Sequence, residues 1–353
     1  MIPSKAKIKV LVVDDAAFMR KAVTELLESD PELEVVGSAK DGFDGLEKIK
    51  TLHPDVVTLD IDMPRMDGLS AIRHIMIESP VPIVVLSSLA GDGAITFEAL
   101  RLGVVDFVPK PSGAVSANID RSKDRIIERI KMAASVNMEN IRRVRLAKWD
   151  PHDDLHDRFG FHPLDYLIAI GTTLSGPNTV IRLISQLPID LPAALVVVQE
   201  VAPTILPAFA KRFDEHVPWS VRPATDGELL HQGVCYISSN SHHLKIDTNA
   251  QGQACLRLEE KAKRPLNALF SSAATVFQQN AIGVLLTGIG DDGADGLSAI
   301  RKASGVALAQ ATNTCVYPNL IENALLHGSI DKIIDENALP EALFSIMAEA
   351  AYR

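Results

Sequence analysis

Five side chains suited to handling a phosphoryl group close successive apolar runs in the first third of the chain. Asp14 and Asp15 follow "IKVLVV", Asp60 follows "DVVTL", Ser87 ends "PIVVLS" and Lys110 follows "VVDFVP". Three carboxylates gathered at one place repel unless a hard cation joins them, and Mg²⁺ takes a few carboxylates while water and phosphate oxygens complete its octahedron. A lysine ammonium and a serine hydroxyl facing them are donors for an anion made at that point. The set suits phosphoryl transfer to a carboxylate, where positioning and charge neutralisation supply most of the catalysis. An Asp at a strand end often only caps the next helix; five such residues in one constellation are a more specific signal.

A second stretch, "LIAIGTTLSGPNTV" from Leu167 to Val180, runs apolar, turns at Gly171 and carries hydroxyls at Thr172, Thr173 and Ser175 before Gly176-Pro177. A strand that ends in a tight glycine turn with an exposed hydroxyl is how many α/β hydrolases present a nucleophile.

These residues need a scaffold that brings strand ends together. From Ile8 the runs "IKVLVV", "LEVVGS", "DVVTLD", "PIVVLS" and "VVDFVPK" alternate with amphipathic helical segments, which predicts a small doubly wound parallel sheet. Ligand chemistry in that architecture belongs at the carboxyl ends of the strands, where all five polar residues fall. From Tyr166 a second series, "LIAIGT", "AALVVVQE", "GVCYISS", "CLRLE", "IGVLLTG", "GVALAQA" and "IDKII", predicts another α/β sheet, largely parallel. Between them lies a charged helix, "DRSKDRIIERIKMAASV", then basic residues Arg142, Arg143, Arg145 and Lys148 and an acidic run from Asp150 to Asp157. His152 and His156 are spaced for metal chelation on a helix, but Pro151 and the flanking Asp residues favour a solvated linker. The expected organisation is α/β throughout: a first domain over 1–125, a linker over 126–163 and a second domain over 164–353.

A chain of 353 residues exceeds what one core usually supports. Its formal charge of -10 argues against an electrostatic grip on nucleic acid. No apolar run approaches the ~20 residues that span a bilayer, and "MIPSKAKIKV" enters a strand pattern without a cleavage site. A cytoplasmic protein without membrane insertion is expected. Cys235, Cys255 and Cys315 are dispersed and suggest neither a disulfide framework nor zinc.

The motifs "VLVVDDAAFMR", "VVTLDIDMPRMDGL", "VVLSSLAG" and "DFVPKPSG" resemble a response-regulator receiver domain of flavodoxin-like fold. The resemblance implies that Asp60 accepts phosphate, in preference to the competing carboxylate Asp62, and that Asp14, Asp15, Asp60 and Asp62 hold Mg²⁺. Asp62 opens the loop in which that family uses a backbone carbonyl as a further ligand. Ser87 and Lys110 would contact the phosphoryl group, with Phe107 as the switch aromatic. Over almost the whole chain the pattern, with "GVLLTGIGDDGADGL" its strongest segment, resembles CheB-type chemotaxis regulators, in which a receiver controls a Rossmann-like protein-glutamate methylesterase and glutaminase domain. Its implied partners are a chemotaxis histidine kinase as phosphodonor and the cytoplasmic region of a chemoreceptor. No cofactor is expected in the second domain.

Departures from that family pattern concentrate in the catalytic turns. The serine of its GASTGGP turn is Thr173 in "GTTLSGP", and the histidine of its QHMP sequence is Glu200 in "QEVAP". The carboxylate of its TGMGxDGA loop is kept as Asp292. Ser–His–Asp hydrolysis needs an imidazole that takes the hydroxyl proton and a carboxylate that fixes its tautomer, and here the imidazole is missing. Ser175 stands two positions late in the turn. The APGxxH loop appears as "SSNSHH", keeping His243, which is expected to be scaffold, beside a solvent-facing His242. RPSVDxLF is shortened to "RPLNALF", and a GMP triplet is replaced in "CVYPNLIENAL". The expectation is a methylesterase fold with lost or weakened activity; the alternative is a working Thr173, Glu200 and Asp292 site.

Overall fold

The computed structural model describes residues 6–87, 92–110, 118–141, 144, 164–260 and 263–351, and the chain divides into two compact units, Met1–Arg143 and Val144–Arg353. The first unit alternates β1 (Ile8–Val13), α1 (Ala17–Glu28), β2 (Leu33–Ala39), α2 (Gly42–Leu52), β3 (Val56–Leu59) and α3 (Gly68–Glu78). It continues through β4 (Ile83–Ser87), α4 (Gly93–Leu102), β5 (Asp106–Pro109) and α5 (Asn118–Ala134). The strands pair in parallel in the order β2-β1-β3-β4-β5. This is the flavodoxin-like order, with its switch point between β1 and β3. β3 and β4 are buried at every position because helices cover both faces, so they read as unbroken Val, Ile and Leu runs. Asp41, Asp67 and Asp92 start α2, α3 and α4 by accepting first-turn N–H groups.

The boundary expected at residue 125 falls inside α5. Ile126, Ile127, Ile130 and Ala133 recur at helical spacing and are buried, and the helix meets β3, β4, β5 and α1. Burying an isoleucine side chain contributes about 1.5–3 kcal/mol, which ties this helix to the first sheet despite its charged outer face. His152, His156 and the basic residues Arg142, Arg143, Arg145 and Lys148 lie outside the described residues.

The second unit runs β6 (Tyr166–Gly171), α6 (Gly176–Gln186), β7 (Ala193–Gln199), α7 (Leu206–Asp214), β8 (Ser220–Pro223), β9 (Val234–Ser239), β10 (His242–Thr248) and β11 (Ala254–Glu260). Then follow α8 (Pro265–Phe277), β12 (Ala281–Leu285), α9 (Ala294–Lys302), β13 (Val306–Gln310), α10 (Asn319–Leu326), β14 (Lys332–Ile334) and α11 (Leu339–Ala351). The main sheet has the order β14-β13-β12-β6-β7-β9-β8, parallel at every pairing. Its strand order reverses between β6 and β12. "CLRLE" is not in this sheet: as β11 it forms an antiparallel pair with β10, which begins at His242 where a loop was expected. β8 was not anticipated either.

On one face Leu266, Leu269, Phe270 and Ala273 of α8 pack with Leu167, Ala169, Val196 and Tyr236 of the sheet. Cys235, Cys255 and Cys315 are free thiols in the interior, and burial pushes Cys315 up to about 12. Among the described residues no helix is long and apolar enough to cross a membrane.

Candidate functional site

At the β1/β3 switch point the carboxylates of Asp14, Asp15 and Asp60 each offer an oxygen within 4.8 Å of the others. Asp14 and Asp60 are buried and Asp15 is exposed. Lys110 reaches across from the end of β5, its Nζ 2.6 Å from both Asp14 Oδ2 and Asp60 Oδ2. Ile61 N donates to Asp60 Oδ1 at 2.8 Å, and Ala16 N donates to Asp14 Oδ1 at 2.9 Å. Burial raises the Asp60 carboxyl above the ordinary range, with Asp14 adding to it and Lys110 opposing. Burial also works against the Lys110 ammonium, but hydrogen bonds to Asp14 and Asp60 outweigh it and hold the lysine above its usual value. One ammonium thus faces three carboxylates of hard oxygen donors, a set that fits a hard dication.

Ser87 is buried at the end of β4, its carbonyl accepting from Lys110 N at 3.2 Å. Phe107 is half-buried against the same core. Asp62 does not join the carboxylate group. Ile61 and Met63 on either side turn into the core, which sends the Asp62 side chain out to solvent. Arg20, which sequence reasoning passed over, donates from α1 to the carbonyls of Asp14 at 2.8 Å and Asp15 at 2.9 Å and so holds the β1–α1 loop.

The second switch point, between β6 and β12, holds the hydroxyl turn. Thr172 is fully buried and donates to Thr287 O at 2.5 Å. A Cβ on Gly176 would collide with the same hydroxyl, so Thr172 is wedged under the first residue of α6. Ser175, at φ 60°, holds the left-handed position that starts α6, makes no side-chain cap and is buried. Thr173 is partly exposed, yet its hydroxyl donates to Ile289 O at 3.0 Å and accepts from Ile289 N at 2.7 Å. The hydroxyl is thus engaged both as donor and as acceptor by one residue of the loop after β12.

Asp292 has a structural occupation too. Arg264, the residue before α8, gives the helix no side-chain cap, and Asp292 supplies one by accepting from Leu266 N at 2.8 Å and Asn267 N at 3.1 Å. Asn267 returns the favour, accepting from Gly293 N at 3.0 Å and Gly296 N at 2.9 Å at the start of α9. Burial raises the Asp292 carboxyl, while these backbone donors and Arg264 oppose it. Glu200 is half-buried directly after β7, next to the turn in the sense that Thr172 N donates to Val198 O at 3.1 Å. His243 sits in β10, its Nε2 accepting from Lys263 N at 3.1 Å.

Beneath the turn runs a buried polar chain that no motif announced. Arg182 of α6 pairs with Glu336 at 2.6 Å, Gln310 Nε2 reaches Glu336 at 3.3 Å, and Gln310 Oε1 accepts from Thr287 N at 2.9 Å. Thr287 Oγ1 in turn bonds both backbone groups of Tyr317. The loops that carry Thr173 and Ile289 are therefore fixed from below.

Comparison with known proteins agrees with this division. The response regulator receiver domain profile matches residues 10–117 and the CheB methylesterase profile residues 168–343. The protein-glutamate methylesterase/protein-glutamine glutaminase of Pyrococcus horikoshii is 37% identical over 345 residues, covering 96% of this chain and 93% of that one. Its counterpart from Symbiobacterium thermophilum is 39% identical over 355 residues, covering 97% and 98%. Among solved structures, the CheB methylesterase catalytic domain of Thermotoga maritima is 28% identical over 51% of this chain and 98% of its own, with a TM-score of 0.49. Two family profiles that together span most of the chain, with relatives 37% and 39% identical over nearly its whole length, place this chain in the CheB family of chemotaxis response regulators.

Proposed function

We propose that this CheB-family protein is switched by phosphorylation of Asp60 and that its second unit binds its target with lost or weakened esterase activity. In the first unit an Asp60 carboxylate oxygen forms a bond to phosphorus as the donor's bond to its leaving group breaks, and that group departs with the electron pair. Lys110 neutralises the new anion, and Asp14, Asp15 and Asp60 are the residues that would hold Mg²⁺. Bound there, the dication supplies charge neutralisation for the transferring group. Ser87 and Phe107 then carry the change: a hydroxyl drawn toward the phosphoryl group vacates space that the half-buried ring can fill, a shift driven by differential contacts in the two states. A chemotaxis histidine kinase is the donor and a chemoreceptor cytoplasmic region the target.

The observation that carries the second half of the proposal is the closed hydroxyl of Thr173. A nucleophile needs a base that takes its proton, whereas this hydroxyl donates its proton to a backbone carbonyl and accepts from the N–H of the same residue. Asp292, the carboxylate that would orient an imidazole, caps α8 instead, and Glu200 stands where the imidazole would be. The names of the relatives favour the other reading, a working methylesterase or glutaminase using Thr173, Glu200 and Asp292. Methanol release from methylated receptor membranes, with and without a phosphodonor, separates the two. Binding without methanol is expected; release that disappears in Thr173→Ala would establish the enzyme.

A further inference from the structure

The loop from Ile61 to Asp67 lies directly after Asp60, and its backbone orients that carboxylate. Ile61 N donates to Asp60 Oδ1 at 2.8 Å, and Gly68 N returns to Ile61 O at 2.8 Å. At its far end Asp67 caps α3, and Gly68 is seated so close that a Cβ there would collide with the Asp60 carbonyl. Both ends of the loop are thus fixed by α3. Its middle is held from another direction. Arg65 adopts φ 65°, a left-handed conformation that L residues other than Asn and Asp seldom take, and its guanidinium pairs with Asp41.

Asp41 is only 1% exposed, an unusual place for a carboxylate. Its two oxygens divide the work. Oδ1 accepts from Asp44 N at 3.0 Å and so starts α2, while Oδ2 faces Arg65. A steric contact parallels the charged one: a Cβ on Gly42 would lie 2.6 Å from Met66 Cγ and 2.9 Å from Ala71 Cβ, so the missing side chain lets the loop lean on the start of α2. A cap needs no charge, because Asn serves at an N-cap as well as Asp. The charge on Asp41 is therefore accounted for by Arg65.

We infer that the Asp41–Arg65 pair is a positioning clamp for the phosphoacceptor: it fixes the Ile61–Asp67 loop against α2 and, through Ile61 N–H, sets the Asp60 carboxylate for the cation. The inference rests on the proposed role of the acid cluster. Neither residue touches the reacting atoms.

The clamp and simple electrostatics differ in sign at Arg65. Removing a cation near a carboxylate cluster strengthens its hold on a dication if charge alone matters; removing a clamp weakens it. Mg²⁺ is titrated calorimetrically into the full-length unphosphorylated protein and into Asp41→Asn, Arg65→Asn and the double variant. Asn keeps the cap at position 41 and tolerates the left-handed backbone at position 65. Each single variant is expected to bind Mg²⁺ about tenfold more weakly, as for other residues that orient metal ligands, and the double variant no more weakly than either. Because Arg65 is exposed, Arg65→Asn carries the test even if Asp41→Asn fails to fold. Tighter or unchanged binding by Arg65→Asn overturns the clamp, as does a double variant in which the two losses multiply. A parent protein that takes up no Mg²⁺ overturns both the clamp and the metal role of the acid cluster, whereas a binding parent with unaffected variants removes the clamp alone.

Discussion

If the Thr173 hydroxyl is structural, deleting it must cost stability. Thr173→Val substitutes a methyl of similar shape and leaves Ile289 N–H and C=O, now satisfied at 2.7 and 3.0 Å, without partners. Two lost hydrogen bonds at a partly exposed position amount to roughly 1–3 kcal/mol. For a unit spanning Val144–Arg353 this lowers the melting temperature by about 2 to 12 °C. Thr173→Ser keeps the hydroxyl and gives up only a methyl, about 0.8 kcal/mol. Trp219 is a suitable reporter, 1% exposed with its Nε1 donating to Leu187 O at 3.1 Å; a Trp149→Phe background leaves it as the sole indole. Thermal and urea unfolding followed by its fluorescence should rank parent, Ser and Val in that order, with an unchanged urea slope. A valine variant as stable as the parent, or more so, refutes a structural hydroxyl. That result is the pattern of a side chain retained for chemistry at the expense of stability.

Asp60→Asn should abolish labelling by a small-molecule phosphodonor, as should chelation of Mg²⁺, while the fold persists; labelling equal to the parent would move the acceptor to another carboxylate. Since burial holds the native Asp60 carboxyl above its unfolded value of 3.8, the native state binds this proton more tightly, and the ionised group costs stability as pH rises through that window. Without metal, Asp60→Asn should therefore melt above the parent at neutral pH, with the gap closing below the unfolded value. Arg182→Met strands a buried Glu336 and should destabilise by about 3–5 kcal/mol, most of it recovered on adding Glu336→Gln. Restoring both family residues, Thr173→Ser with Glu200→His, should raise methanol release far beyond the product of the single effects, because triad members act as a unit; equal activity in the parent would contradict lost chemistry.

The first site was legible because each of its residues sits at the end of a buried run that announces its own strand. Strand order then follows from the flavodoxin-like pattern, and the carboxylates meet. Asp62 misled because side-chain type alone does not reveal which way a loop residue turns; buried neighbours on either side decide it. α5 was cut at residue 125 because its charge read as linker, although Ile126 and Ile130 already marked a buried stripe. β10 was missed because Asn240-Ser241 precede it and two histidines open it, leaving Leu244 and Ile246 as its only buried residues. The second site was legible as a departure from a pattern, but its new occupations were not. Ile289 lies 116 residues from Thr173, and the carboxylate that caps α8 comes from 26 residues downstream, so no local capping signal exists to be read.

The interior thiols make this protein behave as though it had no cysteine. Cys235, Cys255 and Cys315 are each at most 2% exposed, and the first unit contains none. An alkylating reagent needs a thiolate it can reach, so in the folded chain all three are silent. One cysteine introduced on the outer face of either unit is then a unique attachment point for a spectroscopic label, without first stripping the native residues. The silent three keep a use of their own: their alkylation proceeds only when the second unit opens, so its rate counts excursions of that fold while a label on the first unit reports on the other.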